Sequence, residues 1–102
     1  MLSIHSPDLL AALAAEMAPL GGYVASDTDM LSVAVGGTYA ALAPDAIQPM
    51  ARGVQVTLWL ESFGGHLRSD LRRLHVRGGH PEDVARAIVG TITDALPKQD
   101  AA

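Results

Sequence analysis

The chain has 102 residues, 49% of them hydrophobic and 18% charged, which fits one globular domain with a modest core and leaves no room for a second. With no Cys, it has no disulfide, thiol chemistry or Cys-ligated zinc; a net charge of −4 with only four aromatic residues argues against a nucleic-acid partner. No apolar run approaches the roughly 18 residues that span a bilayer, and no Lys or Arg precedes the run Leu9–Ala15, so neither a membrane span nor a signal peptide is expected and the cytoplasm is the default location.

The charge is divided unevenly. Residues 1–51 hold Asp8, Glu16, Asp27, Asp29 and Asp45 and no Lys or Arg, whereas residues 52–102 hold all seven basic residues against six acidic ones. An acidic half and a mildly basic half suit mutual packing or head-to-tail self-association. Lys98 is the only lysine against six arginines, which reflects genomic composition before it reflects physics.

Ser6-Pro7-Asp8 reads as a helix start: a side-chain cap, a proline with φ already set, and an acid at the positive end of the dipole. Leu9, Leu10, Leu13 and Met17 follow at helical spacing, and Pro19, Gly21 and Gly22 stop the helix, which is expected over 7–18. Tyr23–Ser26 reads as a short strand and Asp27-Thr28-Asp29 as a turn. Met30–Val35 and Thr38–Ala43 flank Gly36-Gly37, the composition of a tight hairpin, and the two-residue turn pairs Val35 with Thr38, Val33 with Ala40 and Leu31 with Leu42. Pro44–Gly53, with two prolines and a glycine, is expected to be a loop with one helical turn at Asp45–Ile47.

The clearest pattern follows. Val54, Val56, Leu58 and Leu60 alternate with Gln55, Thr57, Trp59 and Glu61, a strand with one buried face. Phe63-Gly64-Gly65-His66 suggests a second tight hairpin, which would set Glu61 opposite Arg68 and Leu58 opposite Leu71. That register runs Val56 into Arg73, so a bulge near Arg72 is expected, restoring Val56 to Leu74 and Val54 to Val76. Residues 71–77 are expected to be strand; Leu67, Leu71 and Leu74 leave a helix as the competing reading before them. Pro81-Glu82-Asp83 opens a last helix with Val84, Ile88, Ile92 and Leu96 as its stripe, Gly90 as a weak point where the helix approaches the sheet, and Pro97 as its stop. The expected architecture is α+β: one antiparallel sheet of about five strands in a single domain over 1–97, with both helices on one face and a frayed tail at 98–102.

The opposite sheet face is then left bare, carrying Trp59, Glu61, Phe63, His66, Arg68, Asp70, Arg73, His75 and Arg77. Trp, Phe, Arg and His on a bare sheet are the residues that interfaces use, and a small domain most often pairs with itself as a two-fold dimer. The plainer reading is that Trp59 fills a hollow and the arginines form a solvated face that discourages edge aggregation. His66, His75 and His80 could serve a ligand or metal site with Glu61 and Asp70, but their spacing matches no metal motif; His80 reads more simply as a helix cap and His66 as a turn residue. No serine sits in a G-x-S-x-G elbow and no glycine pair has the lysine of a phosphate loop, so no cofactor is expected. The leading expectation is a non-enzymatic protein-binding module, an accessory, chaperone-like or neutralising partner that is homodimeric and binds another protein as well. The alternative is a small-ligand binder or small enzyme using Glu61, His66 and His75, with a pocket against the 44–53 segment.

Overall fold

The computed structural model of the chain describes residues 2–62 and 68–95. In chain order these form α1 (Pro7–Met17), a 3-10 turn (Ala18–Leu20), β1 (Tyr23–Ser26), β2 (Leu31–Val35), β3 (Thr38–Leu42), β4 (Ile47–Met50), β5 (Gly53–Ser62), β6 (Arg68–Val76) and α2 (Pro81–Ala95). The fold is α+β, with one antiparallel sheet flanked by two helices.

The strands run as a meander, β1-β2-β3-β5-β6, and β4 continues the line of β3 along the same edge of β5. The Gly36-Gly37 hairpin has the expected register, with Val35 on Thr38, Val33 on Ala40 and Leu31 on Leu42. Gly36 takes a φ of 60°, the sign that a mirror-image hairpin turn requires at its first central residue. The segment expected to be a loop contains β4: a turn at Pro44-Asp45 breaks the strand, the Ala46 carbonyl accepts the Thr57 N–H at 2.9 Å, and Ile47 resumes the pairing opposite Val56. Pro49 hid this strand from the sequence pattern. It is tolerated because β4 pairs on one side only, so its missing N–H leaves no ladder bond unmade.

The expected bulge near Arg72 is absent. The β5–β6 register is unbroken from Val54 opposite Val76 to Ser62 opposite Arg68. The inner pairs, Val56 with Leu74 and Val54 with Val76, are those anticipated. The outer ones differ: Glu61 faces Ser69, Leu58 faces Arg72, and Leu71 faces Trp59. The pairing is offset by one residue from that of a two-residue turn, so none of the described strand residues has to bulge. The Gly64-Gly65 turn expected there lies outside the described residues. Residues from Arg68 onward are strand, which removes the competing helix reading for them.

One face of the sheet builds the core. Leu31, Val33 and Val35 of β2, Ala40 and Leu42 of β3, Ile47 of β4, Val56, Leu58 and Leu60 of β5 and Val76 of β6 meet Val84, Ala85, Ile88, Val89 and Ile92 of α2 and Leu9, Leu13 and Met17 of α1. The second helix lies across β2, β3, β5 and β6, and α1 packs on α2 and β1. Burying each of these large aliphatic side chains contributes about 1.5–3 kcal/mol, which is why the helices settle on this face and leave the other alone.

Two local expectations are corrected. Ser6 does not cap α1 with its side chain; its Oγ accepts the Ser3 N–H at 2.8 Å, and its carbonyl accepts the Leu10 N–H instead. Gly90 does not mark a close approach of α2 to the sheet, since it is exposed and a Cβ there would meet nothing within 4 Å.

Candidate functional site

Strand alternation and the pairings above assign a grid of side chains to the sheet face that the helices leave bare. One row across the strands is Tyr23, Ala34, Tyr39 and Glu61. The next is Ala25, Ser32, Ala41, Trp59 and Leu71. A third begins with Asp27 and Met30, paired across their turn by an Asp27 N–H to Met30 carbonyl bond of 2.8 Å, and ends with Thr57 and Arg73 on β5 and β6. A fourth holds Gln48, Gln55 and His75.

The exposed apolar groups of this grid are Tyr23 (64% accessible), Leu71 (50%), Met30 (46%) and Trp59 (42%). Trp59 and Leu71 stand directly opposite each other on β5 and β6 and form one apolar step. In the same row Ala25, Ser32 and Ala41 on β1–β3 present only small side chains. That row is therefore uneven in size, bulky on β5 and β6 and small on β1–β3, with Tyr23 and Met30 standing large in the rows on either side of it.

Glu61 fixes the middle of this face. Its carboxylate accepts the Trp59 indole N–H at 2.8 Å and also takes the Tyr39 hydroxyl hydrogen bond. Two aromatic side chains from neighbouring strands thereby share one carboxylate on an open surface. The hydrogen bond to Glu61, with some desolvation and the nearby negative charge, pushes the Tyr39 hydroxyl above its ordinary pKa. Arg73 and His75 are exposed along β6, Arg77 follows the strand end, and Arg73 makes no ion pair among the described residues. The acidic turn Asp27–Asp29 lies at the far edge of the same face; Asp27 Oδ1 accepts the Thr28 N–H at 2.6 Å, the local bond expected of Asp in a turn.

Among the anticipated interface residues, the structure places Trp59, Glu61, Arg73 and His75 on this face. Arg68 pairs with Ser62 and not with Glu61; Phe63 and His66 lie outside the described residues. Asp70 and Arg72 fall on the helix side of β6, opposite Leu60 and Leu58, and pair with each other at 2.7 Å with half of each side chain exposed. Tyr39, Leu71, Tyr23 and Met30 belong to the face and were not anticipated.

His75 and His80 belong to different parts of the chain, and His66 lies outside the described residues. His75 sits on the strand face opposite Gln55, and His80 starts α2, where its carbonyl accepts the Asp83 and Val84 N–H groups. Glu61 and His75 share a face but are six positions of strand apart, about 20 Å. No group of three or more His, Asp or Glu capable of holding a metal occurs among the described residues. A concave surface of about 550 Å³ lies on the other side of the molecule, an open groove along α1 and the start of α2 lined by Asp8, Ala11, Ala12, Ala15, His80, Pro81 and Glu82. Among the described residues no helix is long and apolar enough to cross a membrane.

Compared with family models, with curated proteins and with solved structures, the chain matches none of them.

Proposed function

We propose that the chain is a non-enzymatic protein-binding module, accessory, chaperone-like or neutralising in role, that acts as a homodimer and binds through the uncovered sheet face. The observation that carries this reading is the Trp59–Leu71 step, 42% and 50% accessible, on a face that neither helix touches. Solvating that much aromatic and aliphatic surface is unfavourable by about 25 cal/mol per Å², and burying it against a partner recovers the difference. Glu61 strengthens the case, because it removes rotamer freedom from Trp59 and Tyr39 before any partner arrives and so lowers the entropic cost of docking. A second copy of the chain fits as occupant, since the face carries acid at one edge, in Asp27, and base at the other, in Arg73 and His75.

A small-ligand site on Glu61, His66 and His75 draws no support from the placement of Glu61 and His75 about 20 Å apart along β5 and β6.

Trp59→Ala is the direct test. It is expected to weaken self-association by more than about 1 kcal/mol while leaving thermal unfolding of the monomer nearly unchanged. Light scattering on the eluting protein reads the mass, and circular dichroism reads the melt. A variant that assembles as well as the parent removes this reading.

A further inference from the structure

Resting on that reading, we infer that the two copies stack face to face about a two-fold axis parallel to the strands, so that Asp27 of each copy meets Arg73 of the other and the Trp59–Leu71 step of each face seats on the small residues Ser32 and Ala25 of its partner.

The grid decides the orientation. A two-fold axis lying between the sheets and along β3 reverses the order of strands but preserves the rows. In the second row, Leu71 then lies over Ala25 of the partner, Trp59 over Ser32, and Ala41 over Ala41. In the third row, Arg73 lies over Asp27 and Thr57 over Met30. In the second row each large side chain meets a small one, and in the third row the charges meet their opposites, twice over by symmetry; in the first row Tyr39 lies over Tyr39 at the axis and Glu61 over Ala34. The other two-fold arrangement, with the axis across the strands, stacks β6 on β6. It would press the Trp59–Leu71 step against its own β5–β6 half and keep Arg73 on β6 away from Asp27 of the partner, which follows β1 at the other edge of the sheet. Sheets that stack do so roughly 10 Å apart with strands nearly aligned, the spacing at which one bulky and one small layer interdigitate.

The edge of β6 does not compete for this role. Asp70 and Arg72 occupy the helix side of that strand near its free edge, and their charges would have to be desolvated by any strand added there. The stacked face measures roughly 20 by 25 Å from strand spacing and rise, about 1,000 Å² in total for the pair, the lower end of specific interfaces. An interface of that size sits with the weaker, transient ones, so the dimer is measured at high protein concentration.

The experiment is sedimentation equilibrium of the full chain as Asp27→Lys, Arg73→Glu, the two combined, and Trp59→Ala, each beside the parent. Each single charge reversal is expected to weaken the dimer about tenfold, because two pairs change from attraction to repulsion, and the combination is expected to return to within about threefold of the parent. The rescue also separates pairing from folding: Asp27 supports its own turn, and a damaged turn is not repaired by a change on β6. Two single losses without rescue, or a loss in only one of the two, overturn the arrangement. If Trp59→Ala then still weakens the dimer, the face remains the interface in another orientation. A parent that stays monomeric throughout, or a Trp59→Ala variant as dimeric as the parent, overturns both this arrangement and the reading it rests on.

Discussion

Glu61 is the residue on which the bare face depends, since one carboxylate holds the indole of Trp59 and the hydroxyl of Tyr39. The folded state favours the neutral Tyr39 hydroxyl, because its pKa lies above the ordinary value. That contribution is complete below the ordinary tyrosine pKa of about 10 and is lost as pH rises through the folded value. Glu61→Gln is expected to bring the Tyr39 ionisation back toward its ordinary range, measured by ultraviolet absorbance titration of tyrosinate; an unmoved titration would show that Glu61 is not what holds the proton. Trp59 and Glu61 were legible in the sequence, since both fall on the polar side of the plain alternation from Val54 to Glu61. Tyr39 was not, because its place beside Glu61 depends on how β3 aligns with β5, and that alignment passes through the broken stretch 43–52, where no hairpin rule applies. Leu71 was missed for a related reason: counting outward from Gly64-Gly65 put it one register position from its true partner, on the wrong face.

The elements themselves were mostly readable. The two helices, the first hairpin and the long β5 follow from periodicity and turn chemistry. What escaped was β4, where Pro49 masks a strand that only tertiary pairing supports, and the outer register of β6. Two glycines differ sharply in what they do. A Cβ on Gly53, where φ is 123°, would lie 2.0 Å from the Val76 carbonyl oxygen, so Gly53→Ala pries β5 from β6 and is expected to lower stability by about 1–3 kcal/mol. Gly90 sits exposed in the middle of α2 with open space around it, so Gly90→Ala is expected to raise stability by about 0.5–1 kcal/mol. Urea unfolding of the two variants checks both signs, and a Gly90→Ala protein less stable than the parent would contradict the placement of α2. On β6, replacing Asp70 and Arg72 together by Val removes the charges near the free edge. The doubly substituted protein is expected to aggregate on concentration where the parent stays clear, as followed by turbidity.

At the scale of the molecule, the two helices among the described residues seal one side of their six-stranded sheet and leave an apolar step on the other. The unequal charge of the two halves of the sequence takes a spatial form here, with Asp27 and Asp29 at the β1–β2 end of the open face and Arg73 and His75 along β6. A surface with acid at one edge, base at the other and a central row that is bulky on β5 and β6 but small on β1–β3 is complementary to itself. That complementarity was not visible from composition alone, because it depends on which residues share a row.

Trp59 is the only tryptophan, and it stands on the surface proposed to pair, so its own fluorescence reports the central claim. The emission maximum is followed as the full chain is concentrated through the range in which its mass doubles. Pairing through the sheet face predicts a shift to shorter wavelength that tracks the dimer fraction, as a half-exposed indole leaves water. A doubling of mass with the emission unmoved would place the contact elsewhere and contradict the account.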